Sequence, residues 1–169
     1  MSGVGKIFEL QLSKSVPEYA LLHRLPDPAQ SFSNVRGSRF SLKNPFDFIL
    51  WDSKRRELYA LEAKTVAGKS ISFERTIDDK GVIHRHQIDG LLSWDKYNGI
   101  TCGFIIEFRK MEITIFLDIK DLQSLINTID KKSFNIKDLD THNIPYFIIP
   151  QQIKRTRYTY DIDSFLSRK

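Results

Sequence analysis

The sequence predicts an α/β fold, a mixed β-sheet flanked by helices, and three observations carry that prediction. Apolar, β-prone runs recur at 46–51, 57–64, 101–108 and 112–117. Segments with a helical apolar period occupy 4–16, 84–97 and 121–129, so strands and helices alternate along the chain. The runs at 101–108 and 112–117 are apolar on both faces, as expected for central strands covered on each side.

Each element has its own signal. Ile7, Phe8, Leu10, Leu12 and Val16 mark an amphipathic first helix ended by Pro17, with Glu9 off the apolar stripe. A short strand is expected over 19–25. Residues 26–44, rich in Ser, Pro and Gly, form a long connection of the functional kind. Asp47 opens a strand continued by Phe48 to Trp51, and the polar turn Ser53 to Arg56 leads into a second strand from Glu57 to Lys64, pairing as a hairpin. Residues 71–80 carry the chain along the rim, and Asp79-Lys80-Gly81 is a turn signal. Ile88, Leu91 and Leu92 give a helix from His84 to Tyr97, ended near Asn98-Gly99. A second hairpin turns around Arg109 to Met111. The helix from Asp121 to Ile129 has Asp118 or Asp121 near its cap. Residues 131–142 read as polar and irregular, Tyr146 to Ile149 as a strand bounded by prolines, and Asp161 to Leu166 as a short closing helix.

The 169 residues are expected to form one domain, long enough to bury a core without disulfides. With 41% hydrophobic and 28% charged residues, the composition is that of a globular chain. No apolar run is long enough to cross a bilayer, and Met1-Ser2-Gly3 opens no secretory signal, so a cytoplasmic location is expected. Cys102, the single cysteine, reads as a reduced core residue. A net charge of +5 suits an anionic partner such as nucleic acid. The basic residues cluster at Arg36, Arg39 and Lys43, at Lys54 to Arg56, and at Lys154, Arg155 and Arg157. Each cluster alone reads as a solvated surface; three beside a metal site favour DNA contact. There is no glycine-rich phosphate loop and no Cys/His zinc spacing.

The chemistry concentrates in the first hairpin. Successive strand residues face opposite ways, so Glu62 and Lys64 share a face while Ala63 turns to the other. Hard divalent cations such as Mg²⁺ take oxygen ligands and retain waters, which a carboxylate pair with a substrate phosphate supplies. Asp47 and Glu62 fit that need, and Lys64 is placed to steady charge on a phosphodiester. On residue pattern alone, an exposed strand-end salt bridge between Glu62 and Lys64 explains the pattern as well.

Asp47 followed by Glu62-Ala63-Lys64 resembles the core of the PD-(D/E)xK nucleases, and the chain as a whole is similar to the RecU-type Holliday junction resolvases of Gram-positive bacteria and their phages. Gly5-Lys6-Ile7-Phe8-Glu9 resembles a first-helix motif carrying an active-site glutamate. Gly37-Ser38-Arg39 resembles the mobile basic loop of related archaeal resolvases. Ser72-Phe73 and His84-Arg85-His86-Gln87-Ile88 resemble a segment in which Ser-Phe precedes a helix opening with His-x-His-Gln. Arg157 to Ile162 resembles the closing segment. Two departures stand out. Phe46 separates Pro45 from Asp47, and the region before Asp47 is shorter than the basic stalk of RecU proteins.

The resemblance implies a restriction-endonuclease-like sheet and a homodimer that cuts four-way DNA junctions with Mg²⁺, for which Mn²⁺ substitutes. Asp47 and Glu62 would bind metal with the Ala63 carbonyl, Glu9 would support the site, Lys64 would position water and stabilise charge, and Gln87 would assist. Arg36, Ser38, Arg39 and Lys43 would hold the branch point. His84 and His86, two apart on a helix and so facing different ways, are expected to touch phosphate or cap the helix rather than bind metal. A nuclease of the same fold acting on flaps, ends or a restriction site, and a non-cutting DNA-binding accessory protein, remain the alternatives.

Overall fold

A computed structural model describes residues 3–26, 44–155 and 157–168. Its centre is a six-stranded mixed sheet built from β1 (Ala20–Arg24), β2 (Phe48–Asp52), β3 (Glu57–Val66), β5 (Ile100–Phe108), β6 (Ile113–Asp118) and β8 (Phe147–Ile149), in the spatial order β1-β2-β3-β5-β6-β8. The β3/β5 pair is parallel and the other pairs are antiparallel. Both expected hairpins form, with Phe48 opposite Leu61 and Phe108 opposite Ile113. Short strands β4 (Ser70–Ser72) and β7 (Ser133–Asn135) pair separately, as do β9 (Gln151–Lys154) and β10 (Arg157–Tyr160).

Alternation along β3 and β5 divides the core. On one face Ala60, Phe104 and Ile106 meet α2 (Arg85–Trp94) through Ile88 and Leu91, and α3 (Ile119–Thr128) through Leu122 and Leu125. On the other, Leu61 and Ile105 meet Phe8 and Leu12 of α1 (Gly3–Lys14) and Phe165 of α5 (Ile162–Leu166). Each of the leucine, isoleucine and phenylalanine side chains, withdrawn from water, contributes about 1.5–3 kcal/mol. Cys102 is fully buried as expected, and burial pushes its thiol up to about 12.

Several expectations need correction. Residues 131–142 are ordered, forming β7 and then α4 (Ile136–Thr141), because Phe134 and Leu139 are completely buried and Asn135 and Asp138 exchange side chain to backbone bonds of 3.0 and 3.1 Å. Helix α2 stops at Trp94, short of Asn98-Gly99. There Trp94 packs edge-to-face on Phe46 at 4.9 Å, and the following turn reaches Gly99 at φ +88, whose carbonyl accepts from Leu58 N–H and starts β5 beside β3. The stripe expected on α1 is also rotated. Ile7 and Leu10 are more than half exposed, whereas Glu9 is buried along with Phe8 and Leu12.

Gly90, on α2, faces the segment that leads into β2. A Cβ there would lie 2.6 Å from Pro45 Cβ and 2.9 Å from its Cα and carbonyl oxygen. Helix propensity alone would favour Gly90→Ala by about 1 kcal/mol. Overpacking against a proline backbone costs about 1–3 kcal/mol and should win. Gly90→Ala is therefore expected to lower the unfolding midpoint by a few degrees, at roughly 2–4 °C per kcal/mol for a chain of this size. A raised midpoint in a thermal melt would contradict this contact.

Candidate active site

β2 and β3 bring the first hairpin's polar residues to one end of the sheet. Asp47 immediately precedes β2, and its backbone is clamped on both sides: its N–H donates to Leu61 O at 3.1 Å and its carbonyl accepts from Leu25 N–H at 2.8 Å. Its Oδ2 accepts from Ala63 N–H at 3.0 Å, which fixes the carboxylate beside the middle of β3. Across that point, Glu62 Oε1 accepts from Lys64 Nζ at 2.8 Å and from the Gln87 side-chain amide. The Glu62–Lys64 pair is thus real, but it is not an exposed strand-end bridge, since the Glu62 side chain is 2% and that of Lys64 13% exposed.

Burial dominates the electrostatics. It pushes the Glu62 carboxyl up to about 8 against the pull of Lys64, and Asp47 pushes it further by its charge and by a hydrogen bond that needs a proton. Asp47 is raised as well, first by burial and then by the charge of Glu9, while the Ala63 N–H, Lys64 and Arg24 oppose the rise. Two neighbouring carboxyls, both raised in this way, are short of positive charge. A divalent cation would remedy that, and the donor set of Asp47, Glu62 and the Ala63 carbonyl, all oxygen, fits Mg²⁺ or Mn²⁺.

Glu9 stands at the side of this pair. It is 6% exposed and its Oε2 accepts from Arg24 Nε at 2.7 Å, so it acts on Asp47 through charge while held by β1. Among the described residues no three His, Cys, Asp or Glu side chains form a metal-binding group. A cleft of about 410 Å³ lined by Lys6, Glu9, Leu10, Ser13 and Arg24 opens beside Glu9.

Gln87 is buried, although a glutamine near a helix start is ordinarily a surface residue. Its Oε1 accepts from His84 N–H at 3.0 Å, leaving its amide nitrogen to face Glu62. His84 caps α2 from an extended backbone, and for that reason the two histidines do not diverge: the rings of His84 and His86 stack 5.4 Å apart at 15°. Sequence reasoning missed Glu74. Its carboxylate pairs with His84 Nδ1 at 2.8 Å and accepts from Arg85 N–H at 2.8 Å, tying the start of α2 to the chain after β4. The expected DNA-contacting residues Arg36, Ser38, Arg39 and Lys43 lie outside the described residues. The cluster Lys54 to Arg56 sits in the β2–β3 turn, at the opposite end of β3 from Lys64. At ~3.3 Å per residue, that is ~23 Å away.

No protein-family model and no curated protein matches the sequence. Among solved structures, the chain is similar to Hjc of Archaeoglobus fulgidus, a Holliday junction resolvase from an archaeal hyperthermophile, with a TM-score of 0.50 and 12% identity over 81% of this chain and 93% of that one. At that identity the likeness shows the fold, which is the restriction-endonuclease-like mixed sheet flanked by helices. No helix among the described residues is long and apolar enough to cross a membrane.

Proposed function

We propose that the chain is a metal-dependent DNA endonuclease that resolves four-way junctions. The observation that carries the reading is the meeting of Asp47, Glu62, Lys64 and Gln87 at one end of a resolvase-like sheet. Asp47 and Glu62, with the Ala63 carbonyl, would hold Mg²⁺, or Mn²⁺ in its place. The bound ion supplies charge neutralisation at the scissile phosphate and a more acidic water. Lys64 is held with its ammonium beside the carboxyl pair, where it stabilises charge gathering on phosphate oxygens. Gln87, its amide oriented by His84 N–H, holds Glu62 in one rotamer. Glu9 and Arg24 set the charge at Asp47. His84 and His86, side by side at the start of α2, present ring edges to a phosphate.

A junction offers two strands of like polarity related by two-fold symmetry, so a homodimer would present one site to each. The test is a panel of end-labelled four-way, flap, linear duplex and single-stranded DNAs with Mg²⁺ or Mn²⁺. The expected result is paired, symmetric nicks in the four-way substrate alone. Cutting confined to flaps or linear duplex would reassign the substrate. Junction binding with no metal-dependent cleavage would make the protein a DNA-binding accessory instead.

A further inference from the structure

We propose that Glu74 is a positioning residue for the metal site, holding Glu62 in place through His84 and Gln87, an inference that rests on the reading of Glu62 as a metal ligand. Glu74 Oε1 pairs with His84 Nδ1 at 2.8 Å and its Oε2 accepts from Arg85 N–H at 2.8 Å, so one carboxylate grips two successive residues at the start of α2. The backbone N–H of the same His84 donates to Gln87 Oε1 at 3.0 Å, which turns the Gln87 amide nitrogen onto Glu62. Glu62 Oε1 thus accepts from Lys64, its neighbour on β3, and from Gln87, which comes from another element. A carboxylate serving the helix alone would be satisfied by Arg85 N–H. The bond to the His84 ring fixes the residue whose own N–H orients Gln87.

A positioning group must itself be fixed, and Glu74 is. Its side chain is 12% exposed, and its N–H donates to Ile83 O at 2.9 Å. Phe73, before it, is completely buried and donates its N–H to Lys132 O at 3.0 Å. Gly81 closes on the same backbone, where a Cβ would lie 2.7 Å from the Phe73 carbonyl carbon. Arg75, after it, donates to the carbonyls of Ile126 at 2.5 Å, Ile129, and Lys131 at 2.9 Å, at and just beyond the end of α3. Three consecutive residues are therefore anchored in the core, at the N-terminus of α2 and at the C-terminus of α3. The charge at each helix end is the one its dipole favours. Burial opposes ionisation of Glu74, but the His84 ring and Arg85 N–H outweigh it and hold the carboxyl below its ordinary range.

The test uses the full chain and Mn²⁺ alone, with uptake followed by electron paramagnetic resonance and a thermal melt run beside it. Glu74→Ala, which removes both bonds, is expected to weaken Mn²⁺ binding about tenfold, the lower end of the range for groups that orient a metal ligand. Glu74→Gln can still accept from Arg85 N–H and donate to the His84 ring, so it should recover most of that loss. In a Gln87→Leu background, Glu74→Ala should weaken binding no further, because the link through which it acts is gone. Asp161→Ala, which removes the side-chain cap of α5 on the other face of the sheet, should lower the melting midpoint and leave Mn²⁺ affinity unchanged. Should Glu74→Ala not fold, Glu74→Asp, one methylene too short to reach both partners, is read in its place. Wild-type affinity in the Glu74 variant, or an equal loss with and without Gln87, overturns the positioning role while leaving the nuclease reading intact. Wild-type and Asp47→Asn chains that take up Mn²⁺ equally, or not at all, overturn both.

Discussion

Replacing Asp47 by Asn or Glu62 by Gln is expected to reduce junction cleavage by about 10³-fold or more, while junction affinity stays within a few-fold of wild type. Each substitution keeps the shape and much of the hydrogen bonding of its site. The amide oxygen introduced by Asp47→Asn could still accept from Ala63 N–H, and that introduced by Glu62→Gln could still accept from Lys64 and Gln87. What each removes is one of the two anionic charges that would hold the ion. Cleavage within tenfold of wild type in either variant would refute the ligand assignment. Parallel loss of binding and cleavage would point to a DNA contact instead.

The same pair predicts a pH dependence that needs no substrate. With its folded pKa near 8 against an ordinary value of 4.5, Glu62 keeps a proton in the native state that the unfolded chain has already lost. Between those values the native state binds more protons, so stability falls as pH rises, by at most about 1.4 kcal/mol per pH unit from this group. The contribution is complete below pH 4.5 and lost above 8; Asp47, also raised, acts in the same direction. Glu62→Gln should flatten the fall in a series of thermal melts. Mg²⁺ competes with the proton, so it should raise the wild-type midpoint more at pH 8 than at pH 5 and should not raise that of Asp47→Asn.

Strand parity explains why so much of this site was legible. Phe48 to Trp51 and Leu58 to Ala60 could be read as paired strands from their composition, and the period of two then placed Glu62 and Lys64 on one face, where they meet at 2.8 Å. The helices were less transparent, because a helical stripe counted from hydrophobicity assumes that only apolar residues pack. Glu9 violates that assumption: Arg24, fifteen residues away on another element, neutralises it in place, and Ile7 and Leu10 turn outward. Glu74 escaped for the same reason, since its partner His84 lies on another element, and Gln87, named through the family resemblance, was not legible as a buried partner of Glu62, 25 residues away. In 131–142 the signal was too short to read, as one phenylalanine and one leucine anchor a three-residue strand and a six-residue helix.

Lys64→Met should lower cleavage by about 10²–10³-fold, the effect of deleting one preorganised positive group at a reacting centre, with little change in junction affinity. Methionine fills the stem's volume, so packing against the sheet survives and the loss reports on the ammonium. Lys64 is also the largest influence holding the Glu62 carboxyl down. Without it the carboxyl keeps its proton to higher pH, and the pH-dependent fall in stability should move upward. Lys64→Arg is expected to rescue poorly, because a planar guanidinium cannot occupy the small, 13% exposed space of an ammonium that meets one carboxylate oxygen. Packing alone predicts the reverse: Lys64→Met neutral in both assays and Lys64→Arg damaging to stability. Wild-type cleavage by Lys64→Met, with its stability profile unmoved, would decide for packing and remove Lys64 from the chemistry.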